Sequence, residues 1–194
     1  MEIRFFTAQD APIVLNWIQT EHEFRVWSAD QYDGYPIKPE DMVDKYRHAI
    51  QQGEFYPLIF EENGKIVGHL VLRYPTEDKK NIRLGYIIID RKKRGNGFGA
   101  KMIIEAMKYA VNKLGARKFN LGVFTNNKDA YKCYSKIGFK PVSTRRGFFR
   151  FHDEEWDWQE MIYDPVEKIH ELYEKYVAGP FRIFYEQHVG KTDS

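Results

Sequence analysis

The sequence predicts one α/β domain built around a mixed, hairpin-rich sheet, and three observations lead to this fold class. Two strand-like runs, Tyr56–Phe60 and Ile66–Leu72, flank Asn63-Gly64, a pair that favours a tight hairpin because both turn positions need positive φ. The segment Gly97–Leu114 carries apolar residues at the helical period. The remaining strand-like and helical segments do not follow a strict strand–helix–strand repeat, so the sheet is expected to be mixed.

The N-terminal part is predicted to hold one strand and two helices. Ile3–Phe5 reads as a strand, and the spacing of Thr7 and Asp10 indicates a helix cap. The segment Glu21–Lys38 is interpreted as irregular, and a second helix is expected over 39–52, with a proline in its first turn. The first helix is predicted to bury Ile13, Val14, Trp17 and Ile18.

Four more strands and a further helix are predicted up to residue 163. The helix Asn127–Ile137 should end at Gly138 in the left-handed conformation, with Phe139 packing back. On Gly97–Leu114, the polar side chains fall opposite the apolar face; they are Lys101, Glu105, Lys108 and Asn112. The strands are Ile82–Asp90, Lys118–Val123, Lys140–Ser143 and Trp156–Tyr163.

A domain over residues 1–163 and a C-terminal helical extension over 164–194 are expected. Asp164–Glu167 resembles a helix start, and Ala178–Pro180 a helix end. The alternation in Phe181–Tyr185 indicates a short strand. The extension could cover an acceptor pocket or form a dimer contact, and the sequence leaves both open. The apolar face of its helix would comprise Val166, Ile169, His170, Tyr173 and Val177.

Composition excludes several functional classes. With 43% hydrophobic residues a full core is expected, and a net charge of +2 argues against a dedicated nucleic-acid binder. The single cysteine, Cys133, rules out an intramolecular disulfide framework and fits a reducing, cytoplasmic setting. No run approaches the ~18 apolar residues of a membrane span. No metal is expected, because metal-binding spacings such as His-Glu-x-x-His or Cys-x-x-Cys are absent.

The segment Arg94–Gly99, Arg-Gly-Asn-Gly-Phe-Gly, lies between a predicted strand and the helix Gly97–Leu114. Glycines let the backbone approach an anion, and the helix directs its free N–H groups and positive dipole end to the same place. The basic run Arg91–Arg94 adds positive charge. This combination is typical of a phosphate-binding loop.

Three other interpretations of the loop are weaker. In a dinucleotide fold the glycines follow the strand directly and an acid closes the next strand, whereas here residues 90–94 intervene and residues 120–124 contain no acid. A mononucleotide loop needs Gly-Lys-Ser/Thr, but Gly99 is followed by Ala100. A solvated charged turn would leave three alternating glycines at a helix start unexplained.

A second block follows one strand after the long helix, and the two blocks together resemble the GNAT superfamily of acetyl-CoA-dependent N-acetyltransferases. The first family signature, Arg/Gln-x-x-Gly-x-Gly/Ala, is met by Arg94, Gly97 and Gly99. The close resemblance covers about 82–142. The second block consists of Asn127, Ala130, Tyr134, Gly138 and Phe139.

The resemblance implies a GNAT-like fold, with a central twisted, mostly antiparallel sheet flanked by helices and splayed strands at the CoA site. The backbone of Ile87 and Ile89 would pair with the pantetheine arm of acetyl-CoA, and the amides of residues 94–100 would hold its pyrophosphate. The cofactor-binding residues so implied are Ile87, Ile89, Arg94, Gly95, Asn96, Gly97, Phe98, Gly99, Ala100, Asn127 and Tyr134.

The implied reaction is direct attack of a primary amine on the thioester. A base must first remove a proton from the ammonium, and strand N–H groups near Ile87 would stabilise the oxyanion. Tyr134 resembles the family residue that protonates the leaving thiolate. Helical spacing alone would make Tyr134 a core residue, Asn127 a helix cap and Cys133 a small buried hydrophobe.

The base is left open, because Tyr86 stands on the strand where many family members carry a glutamate. The alternatives are His69, Glu77, Asp78 and an ordered water; a histidine in an apolar strand is more often a satisfied core residue.

The acceptor pocket is expected to draw on the residues around the irregular segment and the last strands. Aromatic rings with carboxylates suit a cationic amine such as a polyamine, an aminoglycoside-like molecule or a peptide N-terminus. An ordinary polar loop explains them almost as well, and a non-catalytic acyl-CoA-binding sensor is the alternative function. The proposed substrate-binding residues are Trp27, Asp30, Tyr32 and Tyr86, with Glu21, Glu23, Asp33, Tyr35 and 156–158 nearby.

Overall fold

The computed structural model describes residues 2–164 and 168–177, and its centre is a seven-stranded sheet. The strands lie in the order β1-β2-β3-β4-β5-β7-β6 and all neighbours are antiparallel except β4 and β5. The predicted mixed, mostly antiparallel sheet is confirmed. The strands are β1 (Glu2–Phe5), β2 (Phe55–Glu62), β3 (Lys65–Arg73), β4 (Asn81–Ile89), β5 (Lys118–Phe124), β6 (Lys140–Phe151) and β7 (Glu154–Tyr163).

The hairpin between β2 and β3 turns at the predicted pair. Asn63 has φ 52° and Gly64 has φ 71°, so both central positions are left-handed. The last hairpin is longer than predicted, because β6 continues to Phe151 instead of ending near Ser143. Most of β6 is exposed, so its sequence lacks the apolar alternation that would have marked its full length.

Six helices pack around the sheet in the described residues, and one of them corrects the sequence interpretation. Helix α2 occupies the first half of the segment that was expected to be irregular, and the Thr20 hydroxyl caps it by accepting the Glu23 N–H at 3.2 Å. Only Phe24 and Ser28 of α2 are buried, so its apolar period was too weak to detect. The helices are α1 (Ala11–Leu15), α2 (Glu21–Ser28), α3 (Pro39–Gln51), α4 (Phe98–Leu114), α5 (Lys128–Ile137) and α6 (Ile169–Val177).

The first helix is also shorter than predicted. It ends at Leu15, and Trp17 and Ile18 are buried from the turn that follows. Thr7 and Asp10 form the predicted capping box around a short 3-10 turn that precedes α1. The exposed Ile13 is the one residue of the predicted apolar set that does not face the core.

Two cores form on opposite faces of the sheet. Along β3, Leu70 and Leu72 belong to the core beneath α4, whereas Val71 belongs to the core beneath α1, α2 and α3. This alternation is expected because successive strand residues point to opposite faces. The residues of β3 that lie two positions before or after Val71 therefore point to the side of the sheet covered by α2 and α3.

Helix α6 packs on α4 and corrects one further expectation. Ile169 and Tyr173 are buried there, and the Lys108 Nζ lies 3.1 Å from the Tyr173 ring centroid. Glu105, expected on the solvated face of α4, is only 2% exposed because α6 covers that face. His170 is exposed instead of buried, and Val166 and the predicted strand over 181–185 lie outside the described residues.

No helix in the described part of the chain is both long enough and apolar enough to span a membrane.

Candidate active site

The sheet opens between β4 and β5. These parallel strands pair only from Asn81–Lys118 to Leu84–Leu121, so beyond this point β4 has no strand partner on its β5 side among the described residues. Meanwhile β5 continues along β7 as far as Phe124. A wedge-shaped gap therefore separates the second half of β4 from the end of β5.

Backbone groups of β4 face this gap. The Asp90 N–H donates to the Val67 carbonyl of β3 at 3.0 Å. Because alternate residues of a strand direct their backbone groups to opposite sides, those of Ile87 and Ile89 face the gap. One acceptor is partly engaged, since the Arg94 Nε donates to the Ile89 carbonyl at 3.2 Å. The other groups can pair with a ligand laid along the gap.

A bulge turns β4 at the gap. The register with β3 shifts between His69 and Val71, and Tyr86 on the β4 side has φ 51°. Bulges of this kind re-aim a side chain, and non-glycine residues with positive φ are uncommon. The strained turn directs Tyr86 toward the α2–α3 core, where its ring lies 5.2 Å from that of Trp27.

The glycine loop lies at the far end of β4. A 3-10 turn over Arg91–Lys93 leads to Gly97, which has φ 79° and immediately precedes the first turn of α4. The free N–H groups of that turn make an anion site. Lys132 and Lys136 on α5 line the same cleft and were missed by the sequence analysis, although their i,i+4 spacing was visible.

One cleft of about 1370 Å³ joins the loop, the gap and the Trp27–Tyr86 wall. Asn96, Phe98 and Tyr32 do not line it. The Asn96 amide donates to the Arg94 carbonyl, the Phe98 ring lies beside Lys93 and Lys101, and the Tyr32 ring stacks on Trp27. The other predicted site residues all line the cleft, namely Trp27, Asp30, Tyr86, Ile87, Ile89, Arg94, Gly95, Gly97, Gly99, Ala100, Asn127 and Tyr134.

Tyr134 is positioned by both ends of α5. Asn127 caps the helix by accepting the Ala130 N–H at 3.3 Å, and Gly138 ends it with φ 119°. Tyr134 is 7% exposed, and burial raises its pKa above the ordinary value, so the hydroxyl stays protonated at neutral pH. No hydrogen bond within the described residues uses this hydroxyl, which leaves it available as a donor.

His69 is a satisfied core residue. Its Nδ1 lies 2.9 Å from the Leu58 carbonyl oxygen, and its Nε2 lies 2.9 Å from the Tyr46 hydroxyl. A carbonyl can only accept, so Nδ1 carries the proton and Nε2 accepts from Tyr46. Burial lowers the pKa of His69 to about 4. None of His69, Glu77 and Asp78 lines the cleft, where the acids are Glu23, Asp30, Glu54 and Asp129.

The acceptor end of the cleft is walled by aromatic rings from both sides of the gap. Trp27 and Tyr86 line it together with Phe124, Phe148 and Trp158 from the β5–β7 half of the sheet. Burial raises the pKa of Tyr86 to about 12, so this phenol is neutral at physiological pH. The Trp27 Nε1 is buried and has no hydrogen-bond partner among the described residues, so it can donate to a ligand or water.

Two predicted carboxylates lie elsewhere. Glu21 and Asp33 line a separate depression of about 420 Å³, together with Tyr32 and Asp30. On the main cleft, Glu23 instead pairs with the loop, at 3.2 Å from Arg91 and 4.0 Å from Arg94. The acceptor end is therefore less acidic than the sequence suggested.

Among residues 2–164 and 168–177, no three His, Cys, Asp or Glu side chains cluster closely enough to hold a metal ion.

A mixed sheet that opens beside a glycine-rich loop places the protein in the acetyltransferase class of folds. The chain belongs to the GNAT acetyltransferase family, whose model, described as "Acetyltransferase (GNAT) family", matches residues 15–139. This confirms the resemblance drawn from the two sequence blocks.

Similar proteins support the same family. A thialysine N-epsilon-acetyltransferase of Mus musculus is 32% identical over 106 residues, which are 52% of this chain and 62% of that protein. An uncharacterized N-acetyltransferase derived from the SPbeta prophage of Bacillus subtilis is 26% identical over 106 residues, 54% of this chain and 59% of that protein. The chain thus spans about three fifths of the length of these two relatives.

Among solved structures, the spermidine N-acetyltransferase of Vibrio cholerae in complex with CoA and spermine superposes with a TM-score of 0.73. The superposition covers 87% of this chain and 96% of that one at 18% identity. At this identity the likeness shows a shared fold.

Proposed function

We propose that the protein is an N-acetyltransferase that moves the acetyl group of acetyl-CoA to a primary amine by direct attack. One observation carries the proposal: a single cleft connects the glycine loop, the gap beside β4 and an aromatic pocket. A long donor bound along the gap would present its thioester to an acceptor in that pocket. Proximity of this kind removes much of the entropic barrier to a two-substrate reaction.

The donor would bind by its backbone-like and anionic parts. The pantetheine amides would pair with Ile87 and Ile89 in the gap, as an added strand does. The amides of residues 94–100 would hold the pyrophosphate, with Lys132 and Lys136 adding positive charge at the same end. Acetyl-CoA supplies the activated acyl group.

The chemistry needs protons to move at the amine nitrogen, at the thiolate and at Tyr134. The acceptor ammonium first loses a proton, and cleft water is the proposed route because His69 is engaged in the core. The neutral amine attacks the thioester carbon, and a strand N–H near Ile87 stabilises the oxyanion. When the carbon–sulfur bond breaks, Tyr134 donates its proton to the departing thiolate. The nitrogen then loses its second proton to give the neutral amide, and this proton restores the Tyr134 hydroxyl through cleft water.

The proposed acceptor is a small cationic amine or a peptide N-terminus. Trp27 and Tyr86 offer ring faces for cation–π contact, and Asp30 lies on the same cleft wall. The mouse relative named for thialysine supports a primary amine. We propose the cytoplasm as the compartment, because Cys133 is the only cysteine.

A non-catalytic acyl-CoA sensor is the second candidate. It requires the same site for acetyl-CoA, but neither an acceptor pocket nor a proton donor. The protonated, unbonded hydroxyl of Tyr134 on the cleft wall favours the enzyme, because a binding module has no use for a proton donor at this point.

The proposal is tested by calorimetry with acetyl-CoA, followed by thiol release with a panel of primary amines. We expect binding and amine-dependent thiol release. Tyr134→Phe should lower kcat about 100-fold or more, the usual worth of a general acid, while acetyl-CoA affinity stays within about twofold. Tyr131→Phe on the same helix, which does not line the cleft, is the matched control. Absence of acetyl-CoA binding refutes both candidates, and binding without thiol release favours the sensor.

A further inference from the structure

Two arginines stand directly opposite each other at the acceptor end of the cleft. Arg73 of β3 pairs in register with Arg83 of β4, and both line the cleft. Like charges at directly opposed positions destabilise an antiparallel pair. Such a pair needs negative partners, either in the protein or in a ligand.

Within the described part of the chain, only Arg83 of the two has an ion-pair partner. Arg83 holds Glu160 in a two-pronged ion pair, with distances of 2.6 and 3.1 Å, and also donates to the Asn120 side-chain oxygen at 2.6 Å. None of the hydrogen bonds or ion pairs formed within the described residues engages the Arg73 guanidinium. Desolvation in the cleft and the nearby Arg83 charge lower the pKa of Arg73, while Tyr86 and the Glu160 charge act in the other direction. The guanidinium stays charged at neutral pH.

The position of this free cation points to the acceptor. Arg73 is two residues from Val71 on β3, so its side chain points to the same face of the sheet, the one covered by α2 and α3. Trp27 and Tyr86 lie on that face too. Tyr86 follows Arg83 by three residues, roughly 10 Å of strand. The glycine loop starts beyond Ile89, roughly 20 Å from Arg83 at the same rise per residue. The phosphates of a donor held by the loop therefore lie at the opposite end of the cleft.

We infer that the acceptor is an amine that also bears an anionic group, a carboxylate or a phosphonate, and that Arg73 binds this group. The inference rests on the proposed function and narrows its substrate class. A guanidinium matches the paired oxygens of such groups. Asp30 on the same cleft supplies the opposite charge for the amine, whereas Glu54 already pairs with Lys79 at 3.5 Å. With one free acid beside Arg73 among the described residues, the site suits a zwitterion better than a polyamine.

The inference is tested with matched compounds bound to the CoA-saturated protein and measured by calorimetry. The carboxylate pairs are lysine with cadaverine, ornithine with putrescine and phenylalanine with phenethylamine; each differs by one carboxylate. Aminoethylphosphonate with ethylamine separates phosphonate from carboxylate recognition. We expect at least one anionic member to bind about tenfold or more tightly than its partner.

Three variants assign the effect. Arg73→Gln should reduce that preference to about twofold or less, and Arg73→Lys should restore part of it because the charge remains. Arg47→Gln, which removes an exposed arginine paired with Asp44 on α3, should keep the full preference. Thermal unfolding of Arg73→Gln near the wild-type temperature would exclude misfolding.

Two results would overturn the inference: no anionic member preferred in any pair, or a preference that survives Arg73→Gln. These binding results do not depend on turnover. A preference that requires Arg73 in a protein that transfers no acetyl group would keep the anion site and refute the proposed function. Acetyl transfer to amines with no preference for their anionic members would keep the proposed function and refute the anion site.

Discussion

At the scale of single residues, the buried imidazole of His69 ties β2, β3 and α3 together. It donates to the Leu58 carbonyl and accepts from the Tyr46 hydroxyl, and Tyr46 is itself fully buried. Both contacts require the neutral ring in one tautomer. Protonation would oppose the Tyr46 bond and place a charge in the core, which is why burial holds the pKa near 4.

This arrangement predicts an acid-sensitive contribution to stability. The unfolded chain takes up the histidine proton below its ordinary pKa of about 6.5, whereas the folded chain takes it up only near 4. The contribution is therefore complete above pH 6.5 and is lost as the pH falls toward 4. Between pH 7 and pH 5 the wild type should lose about 2 kcal/mol more unfolding free energy than His69→Gln. Equal losses in urea titrations at the two pH values would contradict this role.

Some site residues could be predicted from the sequence and others could not. Tyr134, Asn127 and Gly138 belong to a fixed local pattern, so their places on α5 could be predicted. The role inferred for Arg73 could not be predicted, because it depends on Glu160 pairing with Arg83 and leaving Arg73 unpaired. Arg83 and Glu160 lie far apart in the chain, so no local pattern indicates this ion pair.

At the scale of elements, β5 and β7 meet through a residue without a side chain. Trp158 of β7 lies over Gly122 of β5 so closely that an added Cβ would stand 1.7 Å from the ring carbon Cζ2. The same indole forms part of the acceptor wall. The glycine thus sets how deeply this ring sits beside the gap.

Gly122→Ala should therefore displace Trp158 and destabilise the protein by about 1–3 kcal/mol, the usual cost of overpacking. Gly85→Ala on β4 is the control, because no heavy atom of the described residues lies within 4 Å of its added Cβ, and it should change stability by about 0.5 kcal/mol or less. Chemical denaturation measures both, and tryptophan fluorescence reports the displacement. Similar stability in the two variants would show that the indole relocates freely.

Elements were predictable where their pattern was local and strong. The hairpin at Asn63-Gly64 and the long helix α4 met that condition. Helix α2 did not, since its inward residues are few and they contact the loop that follows and Tyr86 of β4. Its cap, Thr20, was the signal that could have revealed it.

At the scale of the whole molecule, α6 turns the outer face of α4 into an interface. Glu105 is enclosed there, its Oε1 has no hydrogen-bond partner among the described residues, and burial raises its pKa to about 8. The division into a domain over 1–163 and an extension over 164–194 stays a prediction, but the described part of that extension contributes Ile169 and Tyr173 to the main core.

The protonated carboxyl of Glu105 predicts a loss of stability in base. The unfolded chain releases this proton near pH 4.5 and the folded chain near 8, so stability falls as the pH rises through that window. Glu105→Gln keeps the shape without the titration. Relative to wild type it should gain about 4 kcal/mol between pH 5 and pH 9. Glu171→Gln, an exposed change on α6, should show no such gain, and an equal response would rule out the interface as the cause.

The order of the strands in the sheet could not be predicted from the sequence. Local patterns placed most strands, but the insertion of β7 between β5 and β6 depends on contacts between residues about forty positions apart, such as Phe119 with Tyr163. Only the family resemblance anticipated the gap, because nothing in the residues of β4 states that pairing with β5 stops at Leu84.

That gap has a thermodynamic consequence. The halves β1–β4 and β5–β7 are joined by four residue pairs between β4 and β5 within the described residues, so the sheet is only partly continuous. A ligand that hydrogen-bonds across the gap binds the folded chain and not the unfolded one. By mass action it would raise the unfolding free energy by about 2.7 kcal/mol at one hundred times its dissociation constant. The concentration of the cosubstrate would then determine the fraction of the protein that is folded, in addition to the rate of catalysis.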